Sequence, residues 1–352
     1  MTPGSLVRPA ATALAVSGLL AAVSCKGTPQ APSAHVLERS HLTMGTEIHV
    51  TAWTADDVGA QAAVSAVFGE FDRLDALMSV WKDGSDILRL NDAAGDHAVA
   101  VSPDTREVLK VARQVSEWTD GRFDVTFAAL SGLWKFDHQD EDDTIPDRRE
   151  IEKRLPLINY RDVEVDDRAG TAFLKRRGMR VNLGGIGKGY AVDRSVDMLH
   201  RSGLRDFLIQ AGGDMYVSGT RGDRPWRVGI RDPRGPADRS FAMLDLTDGT
   251  FSTSGDYERF FMKDGRRYHH IIDPGSGEPA RLCRSVTLVT DRAVIADALA
   301  KGVFILGPDA GMALIERTPG VQGVIVSAKN ELVISSGLRG KLTLLAPPAD
   351  AP

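Results

Sequence analysis

The sequence predicts an α+β fold, with helices and strands mixed along the chain. Segments of alternating polarity indicate strands and segments with apolar residues at helical spacing indicate helices, but the two do not alternate steadily as in a doubly wound sheet. The composition supports a folded chain, because 42% of the 352 residues are hydrophobic and 26% are charged. These values are typical of globular proteins and exclude a disordered, collagen-like or coiled-coil chain.

The spacing of apolar residues and the positions of helix-capping residues predict the elements in order. Residues 41–53 alternate as a strand, and apolar residues at helical spacing predict a helix over 55–79, opened by a capping box of Thr54 and Asp57. Ser102 and Pro103 are typical of the start of a further helix. The later predicted elements are strands at 163–165, 171–174, 178–183, 207–210, 241–246, 250–254, 259–263, 267–272, 285–290, 322–326 and 331–335, and helices at 190–202, 293–306 and 308–317.

Charge and cysteine content exclude several classes of protein. Lysine and arginine number 43 and aspartate and glutamate 48, so the net charge is −5 and no surface for nucleic acid is expected. Two cysteines, Cys25 and Cys283, are too few for a disulfide-rich scaffold or a cysteine-only zinc site. We expect Cys283 to be structural.

The first 24 residues have the composition of a secretory signal. The only charged side chain before Cys25 is Arg8, and the apolar run at 10–23 is shorter than the roughly 20 residues that span a bilayer. Residues 22–25 (AVSC) resemble a bacterial lipobox, although alanine stands where leucine is usual. We therefore expect an exported protein, anchored by lipid on Cys25 to the periplasmic side of a bacterial membrane. Plain signal cleavage and a retained anchor are the alternatives.

These features divide the chain into three predicted parts. Residues 1–24 form the signal, and residues 25–39, which include a stretch rich in proline and serine, form a tether. Residues 40–345 form the folded domain.

Four glycines lie between a predicted strand and a predicted helix, in residues 182–190 (NLGGIGKGY). Glycine lets the backbone approach a ligand closely, and free N–H groups at a helix start attract an anion. Lys188 adds a positive charge. The spacing matches neither the dinucleotide fingerprint nor the P-loop, so a phosphate-binding turn and a close helix–strand contact both stay open.

Two further clusters carry titratable side chains. His269 and His270 end a predicted strand, and because neighbours on a strand face opposite ways, only one of them is expected to reach a given pocket. Asp297 lies in an apolar helix, where a carboxylate must cap, pair or bind a metal, and Lys301 at i+4 is the simplest partner. A serine hydrolase built on Ser254 is disfavoured because the G-x-S-x-G elbow is absent.

Phe123 and Trp81 are the aromatic candidates for stacking on a flat ring. Core packing is the commoner fate of aromatic side chains and remains the alternative for both. Their role therefore depends on the motifs around them.

Taken together, the motifs of this chain resemble the ApbE family, the bacterial flavin transferases that attach FMN to other proteins. They occur in the family's order and span about 40–307. The motifs are 44–46 (MGT), 121–126 (GRFDVT), 182–193 (NLGGIGKGYAVD), 212–214 (GGD), 253–259 (TSGDYER), 270–274 (HIIDP) and 296–299 (ADAL).

The resemblance implies a T-fold-like α+β domain that holds FAD, the substrate, in a cleft with Mg²⁺ on its diphosphate. A threonine or serine hydroxyl of an acceptor protein, expected to be a subunit of a membrane redox complex, would attack the phosphorus of the FMN half, and AMP would leave. His270 is the implied base. The metal is assigned to the Gly185 carbonyl, to Asp297 and, at the position of the usual threonine, to Lys301. The residues expected to contact FAD are Met44, Trp81, Arg122, Phe123, Asp124, Asn182, Lys188, Ser254 and Ile271.

Two positions depart from the family's pattern. Lys301 stands where threonine is usual, and an ammonium has no lone pair with which to bind Mg²⁺. Three outcomes stay open for Lys301: its ammonium takes the cation position itself, it weakens the affinity for the metal, or it turns away and leaves water as the metal ligand. Asn182 stands where aspartate is frequent, so the pocket is expected to hold the phosphates of FAD better than Mg²⁺. An FAD pyrophosphatase that yields FMN and AMP, and a lipoprotein that binds FAD without chemistry, are therefore the alternative functions.

Overall fold

The computed structural model describes residues 1–2, 4, 33–136 and 143–351. Contacts between residues divide the chain into Met1–Ser33 and Ala34–Pro352. Cys25 and nearly all of the predicted signal lie outside the described residues. Among the described helices, none is both long enough and apolar enough to cross a membrane.

Helices and strands are mixed along the described chain. Its α-helices are α1 (Asp57–Met78), α2 (Asp86–Asp92), α3 (Pro103–Trp118), α4 (Arg148–Arg154), α5 (Gly187–Arg201), α6 (Ala293–Leu306) and α7 (Pro308–Arg317). Short 3-10 helices cover Val125–Leu130, Leu155–Leu157, Tyr160–Asp162 and Ser336–Leu338. Its strands are β1 (His35–Thr43), β2 (Thr46–Thr54), β3 (Val99–Ala100), β4 (Val163–Asp166), β5 (Thr171–Leu174), β6 (Phe207–Ala211), β7 (Asp214–Ser218), β8 (Trp226–Arg231), β9 (Ser240–Leu246), β10 (Gly249–Gly255), β11 (Phe260–Lys263), β12 (Arg266–His269), β13 (Ile272–Asp273), β14 (Glu278–Pro279), β15 (Cys283–Thr290), β16 (Gln322–Ser327), β17 (Leu332–Ile334) and β18 (Thr343–Leu344).

An antiparallel sheet in the order β1-β2-β6-β7-β10-β15-β16-β17 forms the centre of the fold. One face, with Val50, Ile209 and Val286, packs on the helices and forms the main core. The opposite face packs on a smaller sheet, β18-β9-β8, through residues such as Phe251 and Phe241. Because side chains alternate along each strand, one sheet serves both cores.

The first predicted strand is a hairpin of two strands. β1 and β2 pair from His35 opposite Thr54 to Thr43 opposite Thr46, and Met44 and Gly45 form the turn with φ of 50° and 68°. β1 therefore begins at His35, inside the segment 25–39 predicted as a tether, because its backbone groups pair with β2.

The N-cap of α1 lies two residues after the one in the predicted capping box. Asp56, not Thr54, is the N-cap, and its carboxylate accepts a hydrogen bond from the Gly59 N–H at 2.9 Å. Ser102 caps α3 as predicted, and its hydroxyl accepts a hydrogen bond from the Thr105 N–H at 3.1 Å.

The segment 178–183, predicted as a strand, forms no strand, and its first residue, Gly178, lies in a turn. Met179, Val181 and Leu183 are buried alternately, as the pattern predicted. The Asn91 side chain, however, accepts a hydrogen bond from the Val181 N–H at 2.7 Å and donates one to the Val181 carbonyl at 3.0 Å. A side chain thus takes the place of a neighbouring strand.

Candidate active site

Helices α5 and α6 meet at the last glycine of the cluster. A Cβ at Gly189 would lie 2.3 Å from the Ala293 carbonyl oxygen, so the close approach requires glycine. The Gly189 N–H donates to Asp297 Oδ2 at 3.0 Å. Asp193 of α5 also caps α6, because its carboxylate accepts the N–H groups of Ala293 at 2.6 Å and Val294 at 3.2 Å. These contacts fix Asp297 beside the start of α5.

Two lysines and two aspartates, Lys188, Asp214, Asp297 and Lys301, form a charged cluster at this junction. Lys188 Nζ lies 3.1 Å from Asp214 Oδ2 and 3.8 Å from Asp297 Oδ2. Lys301 Nζ contacts Asp297 Oδ1 and donates to the Asp297 carbonyl oxygen at 2.8 Å. The Asp297 carboxylate, which is fully buried, therefore lies between two ammonium groups.

The cluster keeps its charges. Burial alone would lower the pKa of Lys188, but the Asp214 and Asp297 carboxylates outweigh it and raise this pKa. Burial alone would raise the pKa of Asp297, but the Lys188 and Lys301 ammoniums hold it below its usual range. At neutral pH the cluster thus presents ionised groups of both signs.

The glycine turn lies against Lys301 and Phe123. A Cβ at Gly185 would lie 3.1 Å from Lys301 Cδ and 3.5 Å from the ring of Phe123, which is buried. Asn182 closes the turn, because its side-chain oxygen accepts the Gly184 N–H at 2.7 Å. The N-cap residue of α5, Ile186, provides no side-chain cap, and in the first turn of the helix the Gly189 N–H is taken by the Asp297 carboxylate of α6.

The hairpin turn reaches the same region. A Cβ at Gly45 would lie 3.7 Å from the Arg259 guanidinium, and one at Gly212 would lie 3.2 Å from Thr46 Oγ1 and 3.9 Å from Lys188 Cε. Met44, next to Gly45, is half-buried against the main core. The motifs 44–46, 182–193, 212–214 and 296–299 are thus brought together around the charged cluster.

The two neighbouring histidines differ in their surroundings. His269 is buried, with Nε2 2.7 Å from the Ala280 carbonyl oxygen and its ring edge-on to Phe304. His270 has its Nδ1 3.4 Å from the Arg259 carbonyl oxygen. Burial, with the charges of His269 and Lys301, lowers the pKa of His270 to about 3. The imidazole is therefore neutral at physiological pH, and in the free protein it is a weak base.

Several residues expected to contact FAD make protein contacts of their own. Arg122 pairs with Asp273 at 3.0 Å. The Asp124 carboxylate accepts hydrogen bonds from the N–H groups of Thr126 and Tyr160, each at 2.8 Å, so it supports the backbone of the 121–126 motif. Burial raises the pKa of Asp124. These two residues join the 121–126 motif to other parts of the chain.

The other expected contacts are less closely tied to the cluster. Ser254 on β10 and Ile271 are buried, whereas Trp81 follows α1 with 85% of its surface exposed.

The cysteine in the described part of the chain, Cys283, is buried, and burial raises its pKa to about 12, as expected of a structural thiol.

The residues assigned to the metal do not fit Mg²⁺ as they are arranged. Mg²⁺ takes about six oxygen ligands at about 2.0–2.1 Å. Asp297 already binds an N–H group and an ammonium, and Lys188 and Lys301 would both repel a cation there. In the described part of the chain, no group of three or more His, Cys, Asp or Glu side chains is arranged to hold a metal.

Sequence reasoning gave no separate role to Asp193 or Asp214. Asp214 pairs with Lys188 and accepts a hydrogen bond from the Ser252 hydroxyl. Asp193 lies in the motif 182–193 and Asp214 in the motif 212–214. For Asp214, the local signal is a charged residue directly after a pair of glycines. The contact between Asp193 and Ala293 joins residues 100 positions apart and has no local signal.

Comparison with known proteins extends over nearly the whole folded unit. A sequence model of the ApbE family matches residues 44–325. A protein of Treponema pallidum (strain Nichols) named FAD:protein FMN transferase is 31% identical over 350 residues, which are 93% of this chain and 95% of that protein. A Klebsiella pneumoniae (strain 342) protein of the same name is 30% identical over 305 residues, covering 86% and 93%.

Solved structures share the fold. The ApbE protein of Thermotoga maritima superposes with a TM-score of 0.80 at 32% identity, covering 87% of this chain and 99% of that one. The flavin transferase ApbE from Vibrio cholerae superposes with a TM-score of 0.77 at 27% identity, covering 88% and 99%. The predicted α+β fold is thereby confirmed.

Proposed function

This chain belongs to the ApbE family and is a transferase, and from this premise we propose that it transfers FMN from FAD to a threonine or serine hydroxyl of an acceptor protein, with release of AMP. The observation that supports this proposal most is the convergence of the glycine turn and Asp297 on one charged cluster. The diphosphate of a dinucleotide substrate such as FAD carries the negative charge that the ammoniums of this cluster would bind.

The diphosphate of FAD would lie at the start of α5. The Lys188 and Lys301 ammoniums and the positive end of the helix dipole supply positive charge there. At Gly187, by contrast with Gly185 and Gly212, a Cβ would meet nothing within 4 Å, which leaves room for a phosphate to approach the backbone. These groups bind and orient the substrate without covalent chemistry of their own, as in other phosphoryl transfers.

His270 would accept the proton of the attacking hydroxyl. The acceptor oxygen forms a bond to the phosphorus of the FMN half, and the bond from that phosphorus to the bridging oxygen breaks. AMP leaves with the bridging oxygen and its electron pair. The negative charge of bound FAD raises the pKa of a nearby imidazole, which makes His270 a better base in the complex than in the free protein.

The Mg²⁺ requirement implied by the resemblance is not part of this proposal. The assignment of Gly185, Asp297 and Lys301 to the metal stays a prediction, and the contacts of Asp297 argue against it. Binding and proton transfer are therefore assigned only to side chains of the chain itself.

An assay of flavin transfer tests the proposal. The purified protein is incubated with FAD and an acceptor segment that contains threonine, with MgCl2 in one set and EDTA in another. Covalent flavin fluorescence on the acceptor in a denaturing gel is the expected result in at least one set. Free FMN without labelled acceptor would indicate a pyrophosphatase, and unchanged FAD would indicate a protein that only binds it.

We further propose that the protein acts outside the cytoplasm, anchored by lipid on Cys25, and that its acceptor is a subunit of a membrane redox complex. The support is the AVSC sequence at 22–25 behind a short apolar run. Detergent phase partitioning of the expressed protein tests the anchor. The wild type is expected in the detergent phase and Cys25→Ala in the aqueous phase, and equal partitioning would contradict the anchor.

A further inference from the structure

We propose that the Lys301 ammonium takes the place of a divalent cation beside the FAD diphosphate, so that FMN transfer by this chain does not require Mg²⁺. This inference rests on the proposed function. It decides among the three positions that the sequence left open for Lys301.

The first support is the position of the ammonium. Lys301 Nζ binds both the side chain and the backbone carbonyl of Asp297, one turn earlier on α6. A metal ion bound by Asp297 at that carboxylate oxygen would have to displace it. Lys301 therefore occupies a cation position and does not turn away from it.

The second support is the packing of the lysine stem. The position of a Cβ on Gly185 lies 3.1 Å from Lys301 Cδ and 3.4 Å from Cε, so the stem lies directly along the glycine turn. Only 20% of the side chain is exposed. A lysine packed in this way presents its charge at a fixed place, which is the requirement for electrostatic stabilisation of a transition state.

The third support is the charge of the cluster. Lys188 and Lys301 balance Asp214 and Asp297, so the four groups sum to zero before FAD binds. A neutral residue at 301 would leave one net negative charge, an arrangement that attracts a cation. Before FAD binds, an added Mg²⁺ would bring these four groups to a net charge of +2, so like-charge repulsion disfavours Mg²⁺ at this place in the free protein.

The role of Lys301 in the reaction follows from this placement. Negative charge develops on the bridging oxygen as its bond to the FMN phosphorus breaks and AMP departs. The Lys301 ammonium neutralises charge on the diphosphate during this step, and the proton of the acceptor hydroxyl still passes to His270. Lys301 is therefore assigned as a catalytic residue that contacts the diphosphate in the FAD complex.

Substitutions at position 301 separate the charge from the packing. Lys301→Thr removes both the stem and the charge and adds an oxygen ligand, whereas Lys301→Met keeps a stem of similar length without the charge. Lys175→Met is the matched control, because Lys175, which directly follows β5, pairs with Glu164 of β4 at 2.8 Å, away from the cluster. Each protein is measured for FAD affinity, FMN transfer and binding of Mg²⁺.

For the wild type, we expect the same FAD affinity and the same transfer rate in EDTA and in MgCl2, and no heat when MgCl2 is titrated into the FAD complex. In EDTA, both variants at 301 should lose about a hundredfold in transfer rate. MgCl2 should restore Lys301→Thr and give a saturable heat of binding. Lys175→Met should behave as the wild type.

A wild type that needs Mg²⁺ for tight FAD binding or for transfer would overturn the inference while leaving the proposed function intact. Undiminished transfer by Lys301→Met in EDTA would overturn it as well. If no protein transfers FMN under any condition, the proposed function fails. The FAD affinities and the titration heats then still decide whether Lys301 replaces the cation.

Discussion

The environment of His270 sets the protonation state of its imidazole. Burial is the largest cause of its lowered pKa, and the nearby charges of His269 and Lys301 act in the same direction. The free protein therefore holds a neutral base near an ammonium. Among the described residues, the hydrogen-bond partner of the His270 ring is the Arg259 carbonyl oxygen and not a carboxylate. Bound phosphates are the natural source of the missing negative charge.

His270→Ala tests the assigned base. We expect the rate of FMN transfer to fall by about a hundredfold or more, since a positioned base contributes about 10²–10⁴ to a rate. FAD affinity, measured by quenching of flavin fluorescence, should stay near that of the wild type. Undiminished transfer would remove His270 from this role.

The same pKa predicts a pH dependence of stability. In the unfolded chain His270 has its ordinary pKa of 6.5, and in the folded chain it has one of about 3. The unfolded state therefore binds more protons between these values. As a result, the free energy of unfolding falls as the pH is lowered from 6.5, by at most about 1.4 kcal/mol per pH unit.

Comparison with His270→Asn isolates this contribution. Asp193 changes the free energy of unfolding in the opposite sense. Burial raises the pKa of its carboxyl to about 6, so the stability that it contributes at low pH is lost as the pH rises toward that value. The variant retains this second effect. Urea unfolding at about pH 7 and about pH 5 should show a larger loss for the wild type than for the variant. Equal losses would contradict a neutral imidazole in the folded protein.

At the scale of elements, the α5–α6 contact is the junction on which the site depends. Gly189 allows the close approach, and Asp193 caps α6 from α5. Asp297 is held one turn into α6 by the Gly189 N–H. A change that separates the two helices therefore also moves Asp297 and Lys301 away from the glycine turn.

Gly189→Ala should separate the helices. The added Cβ would stand 2.3 Å from a backbone oxygen, and such overpacking destabilises a protein by about 1–3 kcal/mol. Gly187→Ala is the matched control, because a Cβ there meets nothing within 4 Å. Urea unfolding should show a lower stability for Gly189→Ala and an unchanged or higher one for Gly187→Ala. Equal stabilities of the two variants would contradict the close contact.

Elements with a clear local pattern were predictable and those held by distant partners were not. α6 matches its predicted bounds, because its apolar residues are nearly continuous and Gly307 ends it. β8 was missed although Trp226, Val228 and Ile230 alternate as its buried side chains. The 178–183 segment was wrongly predicted as a strand, because its true partner is the side chain of Asn91.

At the scale of the molecule, the site assembles motifs from distant parts of the chain. Glycines and a carboxylate in an apolar helix are local signals, so Lys188, Asp297 and the turn near Gly185 were identifiable from sequence. Their mutual position was not, because it depends on the α5–α6 contact and on the order of strands in the sheet. The pairing of Lys188 with Asp214 is likewise a product of tertiary structure.

The central claim is that one diphosphate binds between the glycine turn and the two ammoniums. A crystal structure of the protein with FAD, grown in EDTA, tests it most directly. We expect the diphosphate within hydrogen-bond distance of Lys188 and Lys301, next to the 184–187 turn. FAD bound with its phosphates away from these groups would contradict the claim.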